Sequence, residues 1–231
     1  VRRRHIGPLA AALLVLGCPA EESPPAPPQP HRAESPKVAD ELAQALALPG
    51  DPQAGARAYE TCAVCHLPSG AGRPDGTFPV LAGQHARVII KQIVDVREGR
   101  RRNPVAQPHL LALAGPQEIA DVAAYIATLP PVEGSDDLGD GGALDEGRRL
   151  YERDCAGCHG ARGEGDASRF VPVIAGQHYA YLLRQLRNIA GGRRRDSHPG
   201  MLDVARHYRD AELRAVADYV ARLGREAPPA P

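Results

Sequence analysis

Two pentapeptides, Cys62-Ala63-Val64-Cys65-His66 and Cys155-Ala156-Gly157-Cys158-His159, decide how this chain is read. A pair of thiols two residues apart, with a histidine directly after them, is the attachment signal for a c-type haem. At that spacing each cysteine can form a thioether with one vinyl group while the adjoining imidazole meets the iron. A redox-active thiol pair would need neither His66 nor His159, and would sit in a strand-helix alternation that this sequence lacks. A zinc site built from two thiol pairs has them closer together than the roughly ninety residues that intervene here.

The surroundings of the two motifs also repeat. Tyr59-Glu60 matches Tyr151-Glu152 at an offset of 92, and the blocks PVLAGQH and PVIAGQH, ending at His85 and His178, match at 93. Gln92 answers Gln185, the run from Gly99 to Arg102 answers Gly192 to Arg195, and AAYIATL answers ADYVARL at 94. Such self-similarity marks a duplicated domain, and its period is too long for a solenoid. The spacing predicts three main helices per copy. In the first copy one is capped by Asp51 and runs into Cys62, one carries Val88, Ile89, Ile90, Ile93 and Val94, and one runs from Pro116 to Leu129. With no tryptophan and two phenylalanines, a buried porphyrin would supply core that the side chains do not. The formal net charge is zero, so bulk electrostatics give no reason to expect a nucleic-acid partner.

Ahead of the duplicated part, Arg2, Arg3 and Arg4 precede a short apolar run from Ile6 to Leu16, the layout of an export signal over residues 1–17. The run ends at Gly17-Cys18, which resembles a bacterial lipobox and makes Cys18 the expected lipidation site; Leu16 departs from the small residue usual there. Residues 18–50 follow as a proline-rich tether, with a short helix expected over Val38–Leu48. The domains are expected at 51–130 and 143–225, joined by an acidic linker at 131–142.

Cys62, Cys65, Cys155 and Cys158 are thus the expected haem attachment points, and His66 and His159 the expected iron ligands. Methionine as a second axial ligand raises a haem potential. The chain has a single methionine, Met201, 42 residues beyond His159 and just before the last helix. In the first copy its place falls on Gln107 or Pro108, depending on which helix sets the alignment. His109 follows directly and is the candidate sixth ligand there, giving a bis-histidine iron of lower potential than the second. The alternative is a surface histidine beside a five-coordinate or water-bound iron. His85 and His178 read as structural or capping residues. The arginine runs at Arg100 and Arg193 suit either haem propionates or a solvated basic face.

These residues together resemble the tandem dihaem class I cytochromes c, the c-four group of bacterial periplasmic electron carriers. The resemblance rests on the two C-x-x-C-H motifs, the P-V-x-A-G-Q blocks, Gln92 and Gln185, the G-R-R-R turns, Met201 and the closing A-x-Y-x-A helices, over residues 51–224. It implies an all-α fold of two small cytochrome c domains, each wrapped around one covalently bound haem c. The implied function is electron transfer in the periplasm, between a quinol-oxidising complex or another cytochrome and a terminal oxidase or reductase, without catalytic residues; the lipid anchor is the separate expectation from Cys18. Members usually ligate both irons by histidine and methionine, and the first copy here lacks the methionine. That departure keeps open a second reading, an enzyme or enzyme subunit of peroxidase-like or sulfur- or nitrogen-compound chemistry with a reactive haem in domain one.

Overall fold

A computed structural model describes residues 36–132 and 136–224. The expected export signal, Cys18 and the chain up to residue 35 lie outside the described residues. Among those described the structure is helical, with one isolated bridge between Asp166 and Val171 and no strand. None of these helices is long and apolar enough to cross a membrane.

The first domain holds α2 (Pro52–His66), α3 (Ala86–Arg97), the short α4 (Gln107–Leu111) and α5 (Pro116–Thr128), preceded by α1 (Pro36–Ala47). Asp51 caps α2 by accepting the N–H of Gln53 at 2.8 Å, and Pro52 opens the helix where its missing N–H costs nothing. The apolar stripe read from the sequence is the core: Ile89, Ile90, Ile93 and Val94 of α3 pack with Ile119, Val122 and Ile126 of α5 around Tyr59. α2 crosses α5 at Gly55, where a Cβ would lie 2.0 Å from the Asp121 carbonyl oxygen.

The second domain repeats this plan with α6 (Leu144–Asp154), α7 (Ala156–His159), α8 (Tyr179–Ala190), α9 (Pro199–Arg206) and α10 (Asp210–Arg222). Its crossing glycine is Gly147, whose Cβ would meet the Ala215 carbonyl oxygen at 2.2 Å. Leu150, Tyr151, Leu182 and Leu183 pack there against Leu213, Val216 and Val220.

α1 corrects one expectation. It was assigned to the tether of residues 18–50, yet Ala45 is fully buried and Leu42 and Leu46 pack on the first core. The proline and glycine that follow α1 turn the chain without detaching the helix, and Gly50 lets it pass close against Ala120. The first domain therefore begins at α1.

The two domains are joined by the repeated Gly-Gln-His segments, which exchange reciprocal contacts. Gln177 reaches into the first domain, its Oε1 accepting from Val80 N and its Nε2 donating to Val80 O, both at 2.9 Å. Gln84 makes the same pair of bonds with Val173, at 3.0 and 2.9 Å. His178 Nε2 donates to Ala71 O and His85 Nε2 to Glu164 O, each at 3.0 Å. Neither histidine caps its helix through its side chain, so of the two roles foreseen the structural one is what the fold uses. Pairing buried backbone groups in this way matters because each one left unsatisfied costs about 1–3 kcal/mol. Replacing Gln177 by leucine should therefore weaken domain pairing by that order; calorimetry should show a lowered first transition, with the two domains melting apart.

Candidate haem-binding sites

α2 carries Cys62, Cys65 and His66 on its last turns, and Cys155, Cys158 and His159 follow the end of α6 through α7. All four cysteines have free thiols. The two histidines are held identically. His66 Nδ1 lies 3.0 Å from Pro79 O, and His159 Nδ1 lies 3.1 Å from Pro172 O. A carbonyl can only accept, so Nδ1 bears the hydrogen and the lone pair sits on Nε2, the arrangement a metal-ligating imidazole requires. Burial lowers the pKa of both rings, more than these carbonyl bonds raise it, which keeps them neutral and able to ligate.

The backbone beyond each histidine is folded back to create that carbonyl partner. Gly72 N donates to His66 O at 2.9 Å and Gly165 N to His159 O at 2.8 Å. Tyr59 OH donates to Leu67 O at 3.0 Å and Tyr151 OH to Gly160 O at 2.6 Å. The residue after the histidine has positive φ in both copies, 66° at Leu67 and 81° at Gly160. Glycine adopts it freely; Leu67 carries local strain that Tyr59 and the loop restrain.

Burial, more than the neighbouring thiol Cys65, raises the Cys62 pKa, and burial with the Asp154 carboxylate and Cys158 pushes Cys155 up to about 12. Redox-active thiol pairs have the opposite shift, so Cys62 and Cys155 do not resemble the attacking thiol of a disulfide oxidoreductase.

On the opposite side the copies diverge. Met201 lies on α9, half-buried beside Ile189, Ala190, Leu202 and Ala205. α9 starts after His198, which accepts the Gly200 N–H, with Leu202 N bonded to His198 O. In the first domain Asn103 accepts from Ala106 N, and Gln107 N bonds to Asn103 O. Matched at these caps, the following prolines coincide and Ala106 falls opposite Met201; counted from the first residue of each helix, His109 falls there instead. The capping register differs by one or two residues from the sequence alignment to Gln107 or Pro108. His109 lies three residues further on α4, exposed. Of the seven histidines among the described residues, the other six each make a hydrogen bond: His66, His85, His159, His178, His198 and His207. Both ring nitrogens of His109 are uncommitted.

The arginine runs converge on the domain boundary. Arg101 donates to Gln92 at 2.7 Å and across the boundary to Tyr181 OH at 2.6 Å. Arg194 donates to Gln185 and pairs with Asp196 at 3.2 Å. Lys91 and Arg100 both pair with Asp95. Asp95 and Asp196 thus face Lys91, Arg100, Arg101 and Arg194, a cluster richer in cations than in carboxylates. Arg100 Nη1 is buried without a hydrogen-bond partner. A porphyrin propionate fits that donor, and with the thiols and the neutral imidazoles the residues present suit a covalently held haem in each domain. Tyr181 was not anticipated from the sequence, since its counterpart is Val88 and no repeat marks it.

A family model described as cytochrome c matches residues 52–130 and 144–224. The chain belongs to the cytochrome c family. It is 34% identical over 204 residues to cytochrome c4 of Thiocapsa roseopersicina, covering 84% of this chain and 97% of that one. It is 37% identical over 184 residues to a thiosulfate dehydrogenase electron acceptor of Stutzerimonas stutzeri, covering 75% and 84%. The solved structure of reduced cytochrome c4 from Pseudomonas stutzeri superposes with a TM-score of 0.68 at 28% identity, covering 75% of this chain and 99% of that one. The cytochrome is therefore a c4-like dihaem class I protein, mostly helical among the described residues, with two covalently bound haem c groups, and its function is electron transfer.

The charged boundary sets an acid limit for the cytochrome. Burial alone would raise the Asp196 pKa, but Arg194, Arg101 and Lys91 outweigh it and hold the carboxyl below its ordinary value. A carboxyl depressed in the folded state stabilises the fold at neutral pH and loses that contribution as pH falls below about 4. Urea unfolding across pH should show this loss, and Asp196→Asn should flatten that part of the profile.

Proposed function

We propose that the cytochrome is a periplasmic carrier tethered through a lipid on Cys18, with Cys62, Cys65 and His66 holding the first haem and Cys155, Cys158 and His159 the second. The observation that carries this reading is the pair of matched Nδ1 bonds to Pro79 and Pro172, which leave one lone-pair nitrogen per domain for an iron. Each bound haem c supplies an iron that accepts or releases one electron without changing its ligands. The chain contributes orientation of the imidazoles, exclusion of water by the two cores, and a boundary of fixed hydrogen bonds that keeps the domains in one arrangement.

Met201 is the sixth ligand of the second haem in this reading, and His109 that of the first. Ala106, opposite Met201 when the segments are matched at their caps, has no donor atom, and His109, opposite Met201 when they are matched at their first helical residues, has an uncommitted imidazole. Methionine raises a haem potential, so the second haem is the higher of the two. The partners are respiratory redox proteins: a quinol-oxidising complex or another cytochrome on one side and a terminal oxidase on the other. Kinship with a thiosulfate dehydrogenase electron acceptor adds a dehydrogenase acting on a sulfur compound as a candidate electron donor.

A second reading, a reactive first haem within an enzyme subunit, draws on the same kinship and on the exposure of His109. Carbon monoxide separates the two: slow binding at the first haem supports the carrier, and rapid binding in the native protein supports the enzyme. In a redox titration, Met201→Ala should lower only the upper wave. His109→Ala should turn the first haem high-spin in its absorption spectrum; an unchanged spectrum would remove His109 from the ligand set.

A further inference from the structure

We infer that Arg97 and Glu41 form a clamp that positions the distal segment of the first domain, the stretch 103–113 that carries His109. The two domains secure this segment by different means. In the second, α9 has eight residues, and Leu202 and Ala205 are buried in a small apolar cluster with Ile189. In the first, α4 has five residues and none of them is buried. Apolar packing therefore holds the second segment, while the first has the partial contacts of Leu110 and Leu113 with the main core and a bond from Gln107 Nε2 to Val96 O at 3.2 Å.

Arg97 supplies the remaining hold. Its Nη1 donates to Leu110 O at 2.5 Å, which also accepts Leu113 N at 3.3 Å, and to Leu113 O at 3.2 Å, just past the end of α4. Its Nε and Nη2 grip Glu41 of α1 at 3.1 and 2.8 Å. This fork-to-fork geometry fixes the guanidinium plane, and both side chains are largely shielded, at 14% and 16% exposure. Without the Glu41 carboxylate, the guanidinium loses the partner that aims Nη1 at the two carbonyls.

The clamp exists in one domain only. The counterpart of Arg97 is Ala190, which packs beside Met201 and α9. α1, which supplies Glu41, precedes the segment matched by the cytochrome c family model, which starts at residue 52. A helix ahead of the family domain thus reaches the distal segment of the first site through one arginine. Arg97 and Glu41 are positioning residues, not ligands: they act on the iron through the backbone of α4.

This inference rests on reading 103–113 as the distal segment of the first haem. Its test is Glu41→Gln in the full-length, haem-loaded protein, with Arg97→Lys as the second variant. Lysine keeps the charge but cannot span the carboxylate and two carbonyls at once. Hydrogen exchange of the peptide covering 107–113 and cyanide association at each haem are measured together, the second haem serving as internal control. Expected are faster exchange in α4 and about tenfold faster cyanide binding at the first haem, with a shifted first potential and an unchanged second. If both folded variants keep wild-type exchange and cyanide rates, the clamp is overturned; if Glu41→Gln does not fold, the Arg97→Lys result decides. Failure of the His109 assignment shows separately, as an unchanged first-haem spectrum in His109→Ala, while exchange in α4 still judges the clamp.

Discussion

Everything in this molecule depends on a bond between an imidazole N–H and a proline carbonyl, made once in each domain. A histidine at the end of a helix could turn in several directions. The bond from His66 to Pro79, and from His159 to Pro172, selects one rotamer and one tautomer and so delivers a basic nitrogen to the same place in both copies. The carbonyl is brought there by the loop after the C-x-x-C-H motif. That loop is tied down by Gly72 or Gly165 bonding the histidine carbonyl and by a buried tyrosine holding the next residue. The proline heads the P-V-x-A-G-Q block, whose valine is grasped by the glutamine of the other domain. Ligand orientation and domain pairing are thus parts of one chain of hydrogen bonds, which explains why the motif and the block are repeated together.

Duplication gave two equal anchors, and divergence is concentrated on the opposite face. Met201 sits on a helix seated by apolar contacts. The first domain has no methionine, and its α4 is too short to be seated in the same way. Replacing a soft sulfur by an imidazole or a weaker ligand lowers a haem potential, so a change of a few residues in one loop is enough to make a graded pair from a duplicated one. Under the proposed ligation, such gradation would give an electron a preferred resting site, which a carrier with two identical centres would lack.

Much of this was legible in the sequence because it repeats. The two C-x-x-C-H motifs, the apolar stripes of α3 and α5 and the Asp51 cap could be read from spacing and residue type alone, and the all-helical fold followed from the family resemblance those residues carry. What escaped was what does not repeat. Arg97 stands opposite Ala190 and Tyr181 opposite Val88, so comparison of the copies gave them no weight. α1 was assigned to the tether because proline and glycine follow it, although Ala45, Leu42 and Leu46 belong to the first core. The shared glutamines were noticed, but an amide side chain pairing with backbone across a boundary leaves no local pattern, so their role emerged only from geometry.

The central claim is that the sites are alike on the histidine side of the iron and unlike on the other. Low-temperature electron paramagnetic resonance of the fully oxidised, full-length protein reads the axial ligands of both irons in one spectrum. The account predicts two distinct low-spin signals of equal weight, one of histidine–methionine type and one of bis-histidine type. Two superimposed signals of a single type would contradict it.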